Sequence, residues 1–229
     1  MSASRSPERV YTSRGLPTYV VLDVSGSMLP YEELLNDTLM HIFDTIDRHP
    51  QISEFIHLSI ITFNTEAFLV TSMTDFKDVQ ELPRVECRGM TNFGLAFDLL
   101  RRRIETDIPL LVDAGVAVVR PVVFLLTDGD PSDPDRWKGP LNELKDRSWK
   151  PHPNIITYGF GSASERILAE IATAAAYKAE RGDTGEALTA ALTSLLNSMV
   201  ASAKNQELRI PESVRGYRSI PLDPLDFVD

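Results

Sequence analysis

The chain has a single cysteine, Cys87, in 229 residues. An internal disulfide is therefore excluded, and a reducing compartment is the expected setting. Long apolar runs are also missing. The nearest approach, residues 116–126, is interrupted by Arg120 and Pro121, whereas a membrane-spanning helix needs about 20 apolar residues. The first fifteen residues are rich in Ser and Arg and have no apolar h-region, which argues against a secretory signal. A cytoplasmic location is the expectation. Positive charge is scarce: 23 Lys and Arg against 33 Asp and Glu give a net charge of -10. Long-range repulsion then disfavours nucleic acid and anionic membranes as partners. Histidines number four, His41, His49, His57 and His152, and none sits at H-x-x-x-H or H-E-x-x-H spacing, which argues against zinc chemistry. There is no G-x-x-x-x-G-K-[ST] and no G-x-S-x-G, so P-loop NTPases and the α/β-hydrolase nucleophile elbow are set aside. Gly159-Phe160-Gly161-Ser162 lacks the third glycine of a dinucleotide fingerprint and reads as a turn ending a strand.

What is present is an ordinary globular composition, 43% hydrophobic and 24% charged. Apolar runs at residues 20–24, 55–63, 122–126 and 154–160 read as strands, with a short one at 67–71 turned back antiparallel through Asn64-Thr65. Between them the period changes. Leu35, Leu39, Ile42, Phe43 and Ile46 form a helical stripe that ends before Pro50. Phe93, Phe97, Leu100 and Ile104 form another, opened by Asn92 or Thr91 as cap, with Arg101-Arg102-Arg103 read as solvated surface. A polar helix over 135–147 follows. Ser164 opens a helix with Ile167, Leu168, Ile171 and Ala175 inward, residues 176–179 suit an edge strand, and residues 186–203 suit a long final helix.

Strands alternating with helices predict a doubly wound, Rossmann-like α/β sheet, mostly parallel and covered by helices on both faces. Residues 16–203 make the domain and residues 1–15 a flexible N-terminus. Residues 204–229 form a tail that either packs on the domain or docks on a partner: they are proline-bearing, yet carry Ile210, Tyr217, Leu225 and Phe227.

The chemistry gathers at strand ends. Thr18-Tyr19-Val20-Val21-Leu22 stops abruptly at Asp23-Val24-Ser25-Gly26-Ser27, and Val122-Val123-Phe124-Leu125-Leu126 stops at Thr127-Asp128-Gly129. Thr91 stands in the loop before a middle helix. If the two strands lie side by side, their C-terminal ends and this loop meet at a topological switch point, where such sheets bind ligands. Singly, each residue has a plainer reading: Ser25-Gly26-Ser27 as a turn and cap, Thr91 as a cap, Asp128-Gly129 as a turn. Together they make an all-oxygen set of two carboxylates and three hydroxyls, which suits a hard cation such as Mg2+, with Mn2+ or Ca2+ as substitutes.

Asp23-x-Ser25-x-Ser27, Thr91 and Asp128-Gly129 resemble the metal-ion-dependent adhesion site of von Willebrand factor A domains, and the five-residue pattern is complete. The likeness covers about residues 16–203. The phrase Val122-Val123-Phe124-Leu125-Leu126-Thr127-Asp128-Gly129 and the later Leu144-Lys145-Asp146-Arg147-Ser148-Trp149 are similar to bacterial stand-alone members of the tellurium-resistance (TerY) type. The resemblance implies six strands, five parallel and one short and antiparallel. It implies direct metal ligation by Ser25 and Ser27, water-mediated ligation by Asp23 and Asp128, and a Thr91 that binds directly when a partner is engaged. A partner Asp or Glu completes the metal shell.

The function expected is a Mg2+-dependent protein-binding module without catalysis. The resemblance implies an adaptor in bacterial stress signalling, with a protein kinase and a metal-dependent protein phosphatase as partners. The alternative is a Mg2+-dependent phosphotransferase or phosphatase using Asp23 as nucleophile. Against it, such enzymes place a second Asp two residues on, where this chain has Ser25. A further expectation is that the acidic end of the tail, Asp223, Asp226 and Asp229, occupies the metal site of its own or a neighbouring molecule.

Overall fold

The computed structural model describes residues 11–73, 84–180 and 182–222. Its strands are β1 (Ser13–Asp23), β2 (Ile56–Phe63), β3 (Ala67–Thr71), β4 (Val116–Val118), β5 (Val122–Thr127), β6 (Asn154–Gly159), β7 (Ala175–Ala179) and β8 (Tyr217–Ser219). The helices are α1 (Glu32–Asp47), α2 (Pro50–Ser53), α3 (Phe93–Asp113), α4 (Lys138–Lys145), α5 (Glu165–Ile171) and α6 (Thr184–Asn205).

Side chains of β1 alternate between two separate cores. Val20 and Leu22 enter one, Tyr19 and Val21 the other. β5 does the same with Phe124 and Leu126 against Val123 and Leu125. A strand covered on both faces has no polar side, so it reads as an unbroken apolar run. Each fully buried aliphatic side chain contributes about 1.5–3 kcal/mol. One core is closed by α1, α2 and α6, the other by α3, α4 and α5.

The sheet runs β3-β2-β1-β5-β6-β7-β8, and β4 pairs with the first residues of β1. β1 lies between β2 and β5, parallel to both. The expected six strands, five parallel and one antiparallel, are present as β3-β2-β1-β5-β6-β7. Two were not expected. β4 and β8 have three residues each, too few to show a period. β8 pairs antiparallel with β7, so β7 is not the edge it was expected to be. β1 also starts at Ser13, inside the segment expected to be a flexible N-terminus; residues 1–10 lie outside the described residues.

Smaller differences have local causes. The helix expected from residue 135 begins at Lys138, because Trp137 is buried in the second core and the preceding turn closes through Arg136 N–H to Asp133 O. Ala175 belongs to β7 and not to α5, which ends at Ile171. The Arg101–Arg103 stretch is more than solvated surface. Arg103 pairs with the fully buried Asp107, and Arg101 lies 4.4 Å over the Trp149 ring.

The described part of the C-terminal segment runs back beside α6. Tyr217 donates to Ala187 O at 2.9 Å, and Tyr177 donates to Pro211 O. Tyr158 stacks on Tyr177 and meets the edge of Tyr217. Asp223, Asp226 and Asp229, expected at a metal site, lie outside the described residues. Among the described residues, no helix is long and apolar enough to cross a membrane.

Candidate metal centre

The C-terminal ends of β1 and β5 stand side by side, with Leu22 level with Leu126. Asp23 is the last residue of β1 and is 1% exposed. Both its oxygens are engaged. Oδ1 accepts from the Ser25 N–H at 2.9 Å, and Oδ2 accepts from Thr127 Oγ1 at 2.6 Å. Ser25 precedes a short 3-10 turn over Gly26–Tyr31, which brings Ser27 back beside it. The two hydroxyls are 3.1 Å apart, and Ser27 donates to Asp128 Oδ1 at 2.8 Å. Asp23, Ser25, Ser27 and Asp128 are thus joined in one hydrogen-bonded chain.

Thr91 arrives on a third segment. Gly26 N–H donates to Gly89 O at 3.0 Å, and Arg88 N–H to Val24 O at 2.8 Å, which ties the residue 87–92 loop against the end of β1. The Thr91 carbonyl accepts from both N–H and Oγ of Ser132. Its hydroxyl faces Gly129, where a Cβ would stand 4.0 Å from Oγ1. Asn92, not Thr91, caps α3, accepting from Leu95 N–H. Thr91 is therefore released from that plainer role and left at the site, without a hydrogen bond to the other four.

The electrostatics of the pocket favour a cation. Burial pushes the Asp23 carboxyl up to about 6 against the pull of hydrogen bonds from Thr127 and Ser25, and the charge of Asp128 adds to the rise. Burial likewise raises Asp128, opposed by the Ser27 hydrogen bond. Two carboxylates held together in a desolvated pocket repel each other, and a divalent ion relieves both. Every donor atom is oxygen, and three are neutral hydroxyls, so the residues fit a hard cation. Among the described residues, no group of three or more His, Cys, Asp or Glu side chains comes together, so neither a zinc cluster nor a carboxylate cage competes. Cys87 is buried, and its thiol is pushed up to about 12 by that burial and by the nearby Glu32, Asp23 and Asp128 charges. It is held as an unreactive thiol.

Three contributors were not singled out from sequence. Thr127 fixes Asp23 and also accepts from Gly129 N–H. Ser162 donates to Asp128 O through both N–H and Oγ, at 2.7 and 3.0 Å. Lys178 Nζ donates to Phe160 O and Gly161 O, holding the turn that carries Ser162. Thr127 had a visible signal, a hydroxyl residue closing an all-apolar strand just before the acid. Ser162 and Lys178 had none, since they act across strands from the β6 and β7 ends.

A sheet wound in both directions about β1 and β5, with an oxygen-lined cleft at the switch point, defines a doubly wound ligand-binding domain. Within that class the chain belongs to the von Willebrand factor type A domain family, whose family model matches residues 19–193. Solved structures similar to it include a von Willebrand factor type A protein from Catenulispora acidiphila, at 14% identity and TM-score 0.56, covering 81% of this chain and 43% of that one. The pilus adhesin SpaC from Lactobacillus rhamnosus GG is 11% identical with TM-score 0.62, covering 86% and 31%. Proximal thread matrix protein 1 from the mussel byssus, solved with a zinc-occupied MIDAS motif, is 18% identical with TM-score 0.50, covering 86% and 47%. The chain spans less than half the length of each, and at these identities the likeness is one of fold. No curated protein matches the chain.

Proposed function

We propose that this chain is a Mg2+-dependent protein-binding module, with Asp23, Ser25, Ser27, Thr91 and Asp128 holding the ion and no catalysis of its own. The observation that carries the reading is the closure of Ser27 onto Asp128 at 2.8 Å, which unites the ends of β1 and β5 in one oxygen-lined cleft. Bound there, the ion supplies an electropositive centre for a carboxylate of a partner protein. A chain with net charge -10 would otherwise repel that carboxylate. The mussel protein's zinc-occupied motif supports a metal role for this cleft, and Mn2+ or Ca2+ are candidate substitutes for Mg2+.

The finer reading is an adaptor of the tellurium-resistance (TerY) type in bacterial stress signalling, located in the cytoplasm, with a protein kinase and a metal-dependent protein phosphatase as partners. It is supported by the phrases at residues 122–129 and 144–149. Use of Asp23 as a phosphotransferase nucleophile is disfavoured by its burial and by the hydrogen bonds that occupy both of its oxygens.

A pull-down from native lysate with the tagged chain tests the proposal. Partners should be retained in Mg2+, released by EDTA, and lost with Asp128→Ala. Retention of the same partners in EDTA would overturn it. Aryl phosphate turnover in Mg2+ that vanishes in Asp23→Asn would restore the enzyme reading.

A further inference from the structure

At the base of the sheet, the end opposite the candidate metal centre, the surface opens into a groove of about 360 Å3. Ile108 and Val112 of α3 and Val118 of β4 make its apolar floor, and Tyr11, 49% exposed, stands beside them. All three floor residues remain partly exposed. Arg120 and Lys150 line the same groove. Both are exposed, and neither has an ion-pair partner among the described residues. The other charges on or beside these segments do not cancel them. Arg14, level with Ala117 of β4, adds a third exposed cation. Asp146 is occupied by the N–H and Oγ of Ser148, and His152 Nδ1 lies 2.9 Å from Trp149 O. Asp113 and Arg147 are of opposite sign, and each already has a partner. The groove is thus a cationic, apolar spot on a chain of net charge -10. An apolar floor left half open between two cations suits a segment that is itself apolar and acidic.

The topology brings such a segment to this end. β8 runs antiparallel to β7, with Tyr217 opposite Ala179 and Ser219 opposite Tyr177, and Ile220 N–H donates to Ala176 O. The chain therefore leaves β8 heading away from the metal centre and toward the base. Seven residues follow Leu222: Asp223-Pro224-Leu225-Asp226-Phe227-Val228-Asp229. The order β5-β6-β7-β8 puts β8 three strand spacings from β5, about 14 Å. Seven extended residues reach at most about 25 Å. Arg120 stands two residues before β5, and Lys150 four before β6, so both lie on that path. We propose that residues 223–229 cross the base of the sheet and dock in this groove, with Phe227 and Val228 on the apolar floor and Asp226 and Asp229 against Lys150 and Arg120. Two apolar side chains flanked by acids then match an apolar floor flanked by cations. The segment is held on its own domain, away from the metal centre.

Disulfide trapping in the full chain tests this, with oxidised glutathione as oxidant and mass spectrometry of the linked peptides as readout. Cys87 is buried and does not compete. Ala117→Cys with Val228→Cys should close within single molecules, at a rate independent of protein concentration. Leu110→Cys with Val228→Cys, using an exposed α3 position that does not line the groove, should close at least about tenfold more slowly. Leu29→Cys with Val228→Cys, beside the metal centre, should be equally slow. Adding Arg120→Glu and Lys150→Glu to the Ala117 and Val228 pair should slow closure about tenfold. Adding Asp226→Lys and Asp229→Lys to that variant should restore it, which an unfolded chain would not do. Closure no faster than with Leu110→Cys, or fastest with Leu29→Cys, overturns the proposal. Closure between molecules alone also overturns it and gives the groove to a second copy. So does a charge reversal that changes nothing, or one that the swapped acids fail to rescue.

Discussion

Ser27 Oγ donates a 2.8 Å hydrogen bond to Asp128 Oδ1, joining residues 101 positions apart in the chain. The bond is local in space because β1 and β5 are neighbours in the sheet. Its removal separates site from fold. Asp128→Ala should leave circular dichroism intact, because the residue follows the last pairing of β5 and its carbonyl still accepts from Ser162. Mn2+ titration should show metal affinity lowered by at least about tenfold, one donor's worth on the scale of metal-site substitutions.

Metal should stabilise the fold by mass action. At a free ion concentration of about 100 times Kd the gain is about 2.7 kcal/mol. For a domain of this size that raises the unfolding temperature by roughly 5–10 °C. Differential scanning fluorimetry should show the rise with Mg2+ or Mn2+ in the native chain and its reversal by EDTA. Ser25→Ala should abolish it.

Gly159 closes β6 against α5, and there is no room for a side chain. A Cβ there would stand 2.2 Å from Leu168 Cδ1, and Leu168 is itself fully buried. Gly159→Ala should cost about 1–3 kcal/mol through overpacking, read as a lower midpoint in urea. A Gly159→Ala, Leu168→Ala double variant should show a non-additive recovery of part of that cost relative to Leu168→Ala alone.

Beneath the site, Tyr19 donates to Asp107 Oδ2 at 3.1 Å, and Arg103 pairs with the other oxygen. Tyr19→Phe leaves a buried carboxylate short of a partner and should cost about 1–3 kcal/mol. Burial holds the Asp107 carboxyl above its ordinary range, with Arg103 and the Tyr19 hydrogen bond pulling it down. A carboxyl raised on folding binds its proton more tightly in the native state. Its contribution is therefore full below the unfolded value, about 3.9, and is lost as pH rises through the folded value. Urea titrations from pH 4 upward should show the native chain losing stability relative to Asp107→Asn as pH rises.

Much of this molecule was legible because burial on two faces leaves a plain mark. β1 and β5 read as strands from unbroken apolar runs, and the residues that follow them read as a site because polar groups begin where those runs stop. β4 and β8 were hidden because three residues carry no period and their pairing is decided by distant segments. The burial of Asp107 under Tyr19 was hidden for a similar reason. An Arg-rich helix face looks solvated until one of its acids meets a tyrosine from a strand 88 positions away. Thr91 and Asn92 were indistinguishable as caps by residue type, and only backbone geometry separates them.

The rims of the sheet have a bearing on how this domain meets others. At one side β3 is short and broken by a register shift opposite Ile60 and Ile61. At the other, β8 offers three residues. Among the described residues, neither rim gives an incoming strand a long, straight ladder to extend. Polymerisation by adding further strands to either of these two edges is thereby discouraged.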